Sequence, residues 1–283
     1  MSLTAGSGPF GKRPAGSFNF EPAPPGSAIF WEPVPYRVRA VVAGEIVADS
    51  RNVHLLHETG HLPIYYFPPE DVRSEVLVPS ERTSECPYKG EANYYSCRVG
   101  DRIVEDLVWE YREPLENVAF IAGQLALYWR KADEWLVEDE RVHAHARDPY
   151  HRVDIYPTSR HVRVLLDGEC IADSTRVKAL FETGHPPRWY FPVDDVRTEL
   201  LEPSATETLC AYKGRASHFH ALGHEDVAWT YPEPLSDGER VRGLIAFYGE
   251  RVDLELDGLQ QERPETQWFR PTARADTATT PRH

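Results

Sequence analysis

Two lysines stand in the same short setting, Cys86-Pro-Tyr88-Lys89-Gly90 and Cys210-Ala-Tyr212-Lys213-Gly214. An ammonium among aromatic side chains is partly desolvated, and the adjacent glycine marks a bulge or a close backbone approach, so each lysine is a binding-site candidate. The competing reading lays the lysine stem along Tyr88 or Tyr212 and leaves its head in water or in a salt bridge with Glu58 or Glu182. Those carboxylates open a second shared string, Glu58-Thr-Gly-His61 and Glu182-Thr-Gly-His185, which places an acid and an imidazole on either side of a glycine turn. Such a pair can exchange protons with a ligand; equally, a histidine in a Gly-Pro turn can do no more than hydrogen-bond backbone carbonyls. Cys86 and Cys210, three residues before each lysine, are nucleophiles if a base or cation lowers their pKa, and buried structural thiols if none does.

Aromatic residues recur in register with these groups. Tyr66, Tyr88, Trp109 and Tyr111 answer Tyr190, Tyr212, Trp229 and Tyr231. Most large rings are core, but Trp-x-Tyr on one strand points both rings to one face, and rings in excess of what a small domain can bury can cage a ligand. His218 and His220 share a face by the same period and, with Cys210 or His185, form a possible metal set in the second half only. The first half has Tyr94 and Ser96 there. Too few cysteines are present for a thiolate cage in both halves, so no metal and no cofactor are expected.

These strings recur because the chain is a duplication. Residues 38–98 align without a gap at an offset of 124, and roughly half of the paired positions are identical. From Trp109 and Trp229 onward the offset is 120, which puts a four-residue insertion at the loop-like Val99-Gly-Asp-Arg of the first copy. Each copy is about 100 residues, a common size for a domain with its own core. The division expected is an N-terminal tail over 1–30, one domain over 31–138, a linker over 139–158, a second domain over 159–258 and a C-terminal tail over 259–283. Both tails are expected to be mobile, although Phe18, Phe20, Phe30 and Trp31 could latch the first onto a domain.

Within each copy the pattern is mainly β. Val38 to Asp49 and Val162 to Asp173 are β-branched runs around Ala-Gly or Asp-Gly, the signature of a tight hairpin. Strands are expected at 64–67, 88–97 and 107–111 and at their counterparts, with a single capped helical turn near Pro114-Leu-Glu-Asn and Pro234-Leu-Ser-Asp.

The 283 residues carry a formal charge of −14, with 41% hydrophobic and 27% charged residues. That balance fits a globular cytoplasmic chain, disfavours nucleic acid as a partner, and leaves no apolar run of membrane-spanning length. Only Cys86 and Cys210 of the four cysteines correspond between copies, so free thiols are expected.

The combination of Ala-Asp-Ser, Glu-Thr-Gly-His-x-Pro, Tyr-Phe-Pro, Cys-x-Tyr-Lys-Gly-x-Ala and Trp-x-Tyr-x-Glu-Pro-Leu resembles the bacterial family called domain of unknown function 427, in tandem form, over about residues 36 to 257. The resemblance implies small antiparallel β domains of the Mss4-like or β-tent-like kind, and the duplication adds the expectation that the two are related by a pseudo-two-fold axis. Relatives of that fold often hold a structural zinc between two cysteine pairs, whereas this chain has no Cys-x-x-Cys. A nucleotidyl-transferase label attached to the family is not carried over, since no Gly-Ser followed by Asp-x-Asp is present to hold magnesium.

The leading expectation is a monomer or homodimer that binds a small molecule in each domain through the shared Glu, His, Tyr, Lys and Trp. An enzyme with Lys213 or Cys210 as nucleophile and His185 and Glu182 as proton-transfer partners is the second reading. A non-catalytic pseudo-dimeric scaffold is the third.

Overall fold

A computed structural model describes residues 28–266 and, before them, residues 3, 4, 8–12, 14, 16, 17 and 19. It contains two similar, mainly β halves. In the first, eleven strands run in chain order: β1 (Ile29–Pro33), β2 (Val38–Val42), β3 (Glu45–Ser50), β4 (His54–Glu58), β5 (Ile64–Phe67), β6 (Leu77–Cys86), β7 (Gly90–Val99), β8 (Arg102–Glu110), β9 (Leu125–Leu127), β10 (Glu134–Val137) and β11 (Glu140–Val142). Seven form an antiparallel sheet in the order β1-β4-β5-β9-β8-β7-β6, and four form a smaller sheet in the order β11-β10-β2-β3. The second half repeats both sheets strand for strand, from Val153–Pro157 to Leu259–Gln260.

The hairpin predicted at Ala-Gly is the β2–β3 turn. Ala43 (φ 50°) and Gly44 (φ 80°) both take the left-handed conformation that a two-residue hairpin turn needs, as do Asp167 and Gly168 in the second half. The expected helical turns are 3₁₀ segments, Glu116–Ile121 and Ser236–Val241. The four-residue insertion does not enlarge a loop. β7 and β8 have 10 and 9 residues against 8 and 7 in Gly214–Ala221 and His224–Thr230, so it lengthens a hairpin by two residues on each strand.

Three segments differ from their expected roles. Phe30, placed at the end of the tail, and Trp31, placed at the start of the first domain, lie in β1, which pairs antiparallel with β4 in line with the latching alternative. The stretch read as linker contains β11 and the strand Val153–Pro157. The polar run Leu77–Cys86 is a full edge strand whose solvent exposure removes the alternation that would have marked it. Phe18, Phe20 and most of the C-terminal tail lie outside the described residues. At the other end Thr4 and Phe10 are tied down, their carbonyls accepting from Gly60 N (2.9 Å) and Thr59 Oγ1 (2.8 Å).

Each large sheet buries both faces. In the first half one face packs on the small sheet through Val38, Val47, Leu55, Phe67, Leu107 and Trp135, and the other carries Leu56, Tyr66, Tyr94, Trp109, Tyr111 and Ile121. The second half repeats this with Val162, Ile171, Phe191 and Val227 against Leu180, Tyr190, Trp229 and Tyr231. Contacts divide the chain into one unit of residues 1–152 with 209–214 and another of residues 153–208 with 215–283.

Candidate functional site

On the second face of the first large sheet, strand period two sends Tyr66 of β5 and Trp109 of β8 to the same side, and Tyr111 continues that side just beyond β8. The Trp109 ring meets the Tyr66 ring edge-on, with centroids 6.3 Å apart and planes at 79°. Tyr128 packs against Trp109 at 4.5 Å.

Lys89 enters this cluster from the turn between β6 and β7. Its N–H donates to Cys86 O (3.2 Å) and its carbonyl accepts from Leu115 N (3.1 Å), which fixes the backbone on both sides. Gly90 follows at φ 97°, and a Cβ there would lie 3.4 Å from the Glu113 carbonyl oxygen, so the turn requires glycine. So held, the Lys89 ammonium forms an ion pair with the Glu58 carboxylate at the end of β4, and both side chains are 9% exposed. The ammonium also lies 6.0 Å from the Tyr111 ring centroid. Burial, with the Glu58 charge adding to it, pushes the Tyr66 and Tyr111 hydroxyls well above the ordinary tyrosine range. Both therefore stay protonated at neutral pH and act as hydrogen-bond donors, not bases. Trp31, Ile64, Cys86 and Tyr128 are half-buried and form the rim.

The remaining shared candidates are spread more widely. His61 is exposed, and its backbone N–H closes the turn onto Glu58 O (3.0 Å). Tyr88 points outward and is 43% exposed. In the second half Tyr190, Trp229 and Tyr231 share one buried cluster, and Trp229 Nε1 donates to Tyr190 Oη (3.1 Å). His185 is half-buried with Nδ1 3.1 Å from Thr183 O, an internal turn contact, and Glu182 is half-buried at the end of its strand. Tyr212 and Lys213 are buried and Cys210 half-buried, all within the first unit. There the Tyr212 hydroxyl accepts from Asp148 N (3.0 Å), and its ring stacks on His151 at 3.9 Å. This tyrosine is thus committed to the chain between the copies, away from the role of its counterpart Tyr88.

His218 and His220 are engaged separately: His218 Nε2 lies 3.0 Å from Thr208 Oγ1, and His220 Nδ1 accepts from Asp226 N (3.0 Å). Among the described residues, no group of three or more His, Cys, Asp or Glu side chains could hold a metal ion. All four cysteines are free thiols.

A polar cluster that sequence comparison missed lies in the first unit. His57 of β4 is fully buried, with Nε2 2.7 Å from Glu32 Oε1 and Nδ1 3.8 Å from Asp148 Oδ2, and the Tyr150 hydroxyl donates to Glu32 (3.0 Å). The imidazole thus lies between two carboxylates, hydrogen-bonded to one of them. The second half has Phe181 and Tyr156 at the places of His57 and Glu32, exposed, with rings 6.3 Å apart. Because neither His57 nor Glu32 recurs in the second copy, the repeat gives no sign of this cluster.

The model of the family described as domain of unknown function (DUF427) matches residues 30–138 and 154–258, one match to each half. No curated protein matches the chain. No helix among the described residues is long and apolar enough to cross a membrane.

Proposed function

The chain belongs to the DUF427 family, whose activity is unassigned, and from that premise we propose that it is a cytoplasmic protein whose first copy binds a small molecule on the aromatic face beside Lys89 and Glu58. The observation that carries the reading is the buried ion pair among protonated tyrosines. Desolvating two charges costs several kcal/mol each, and apolar residues of similar volume would stabilise the fold as well or better. A pair kept there despite that cost sets an anion and a cation side by side against Tyr66, Tyr111 and the Trp109 ring, a buried cluster that a ligand reaches through its half-buried rim of Trp31, Ile64, Cys86 and Tyr128. That is the composition of a recognition surface for a small polar ligand with a flat apolar part.

Removing one partner alone confounds binding with folding. Lys89→Met strands Glu58 and should cost about 3–5 kcal/mol of stability. The double variant Glu58→Gln with Lys89→Met removes both charges and should unfold near the wild-type midpoint. Mass spectrometry of small molecules released from purified protein is the direct assay. A compound carried by the wild type and missing from the folded double variant supports the site; identical extracts from the two proteins, or none from the wild type, refute it.

A further inference from the structure

A second concave surface lies in the first unit, away from the Lys89 cluster. It is a cleft of about 450 Å³ lined by Trp129, Arg130, Ala132, Trp135, Arg141 and Leu209, with Asp133 and Glu134 at its side. Its volume suits a ligand of one or two rings. Trp129 and Trp135 stack with centroids 4.6 Å apart and planes at 4°, and Trp135 Nε1 donates to Trp129 O (3.1 Å), so the pair is rigid. Trp135 is buried and Trp129 half-exposed, which leaves Trp129 as the ring open to a further partner.

The charges around the cleft do not cancel. Asp133 is neutralised by Arg102 through two 2.7 Å hydrogen bonds and also accepts from Ala43 N. Glu134 lies 3.4 Å from Arg141. Arg130 is exposed and has no hydrogen-bond or ion-pair partner among the described residues. One guanidinium is therefore uncompensated beside an available indole, in a chain whose net charge is −14. The second copy supplies an internal contrast: Gly249 and Glu250 follow Tyr248 where Trp129 and Arg130 follow Tyr128, and the strand register puts Leu254 where Trp135 stands. Both the stack and the positive charge belong to the first copy alone.

We infer that the cleft beside Trp129 and Arg130 binds a planar aromatic ring bearing one negative charge, an aryl carboxylate in chemical class. The ring stacks on Trp129 and the carboxylate takes the hydrogen-bonding fork of Arg130, with Arg141 within the same cleft.

Calorimetric titration of the full chain with 1-naphthoate, 1-naphthamide and cyclohexanecarboxylate tests both features. The naphthoate should bind one to one, and the neutral amide and the non-aromatic acid each at least about tenfold more weakly, the loss of one charge-assisted hydrogen bond or one stacking contact. Arg130→Gln, at an exposed position, should weaken naphthoate about tenfold and leave the amide unchanged. No naphthoate binding at millimolar concentration, equal affinity for acid and amide, or an unaltered Arg130→Gln titration would overturn the assignment. Glu58→Gln with Lys89→Met should leave naphthoate binding intact, so failure at one site is distinguishable from failure at the other.

Discussion

His218 occupies the place of Tyr94, and the exchange should make the second copy sensitive to pH. The Tyr94 hydroxyl sits 2.7 Å from Ser84 Oγ, with no buried atom left over. His218 reproduces that bond to Thr208 through Nε2, but its Nδ1 is buried without a hydrogen-bond partner. Burial depresses the imidazole below its ordinary 6.5, with Asp226 opposing and Arg251 assisting. A histidine whose folded pKa is depressed binds its proton more readily in the unfolded chain. Its contribution is therefore complete above about pH 6.5 and is lost as the pH falls toward the folded value. Replacing it with the residue of the first copy, His218→Tyr, should raise stability by roughly 1 kcal/mol at neutral pH and flatten the decline below pH 6.5. Denaturant midpoints of the two proteins at pH 7.5 and 5.5 check this, and parallel shifts in both would contradict it. The same residue scale sets what the sequence could reveal. Lys89 and Glu58 can be paired from the sequence because both recur, and roughly half of the paired positions between the copies do not. Their burial was not legible, since an ammonium in an exposed loop and one under a sheet read alike. His57, Trp129 and Arg130 occur once each, so they carried no such signal.

Elements were legible where local chemistry forces them. Ala43-Gly44 and Asp167-Gly168 take the positive φ angles that a two-residue hairpin needs, and β5 covers the Ile64–Phe67 run that the sequence predicts as a strand. The edge strand β6 was hidden because its side chains face water on both sides for much of its length, and β1 because its Phe-Trp pair sits next to a Gly- and Pro-rich stretch. The turn carrying Lys89 is the element on which the proposed site depends. Gly90→Ala forces a Cβ into a φ of 97° and to 3.4 Å from a backbone oxygen, a strain of roughly 1–3 kcal/mol. Thermal unfolding should show that loss, whereas Gly100→Ala, in a hairpin tip with nothing within 4 Å and φ 57°, should lose less. Equal losses would mean that the crowding at Gly90 is relieved by a small shift of the Glu113 carbonyl.

At the scale of the whole chain, duplication kept the sheets and let the corners diverge. The trio Tyr66, Trp109 and Tyr128 recurs as Tyr190, Trp229 and Tyr248, with the Trp–Tyr centroid distance 4.5 Å in one and 4.3 Å in the other and the same 41° tilt. What lies against the trio differs. The second copy places Arg188 with its guanidinium carbon 5.6 and 5.7 Å from the Trp229 and Tyr248 centroids, and two 2.7 Å hydrogen bonds tie it to Glu250. The first copy has Ile64 and Arg130 at those two positions, and only there is the cation left unpaired. In the second copy a buried ion pair thus fills the aromatic corner. Burial works to raise the Glu250 pKa, but the Arg188 hydrogen bonds and charge outweigh it and hold the carboxyl below its ordinary 4.5. A depressed carboxylate contributes fully above about pH 4.5 and loses that contribution as the pH falls through its folded value. Arg188→Ile, which copies Ile64, should strand Glu250 and cost about 3–5 kcal/mol at pH 7. Arg188→Ile with Glu250→Gln should recover most of that loss and shed the acid dependence of the pair. Urea unfolding at pH 7 and pH 4 separates the cases: a double variant as unstable as the single one would show that Arg188 acts by packing on Trp229 and Tyr248 and not by answering a buried charge.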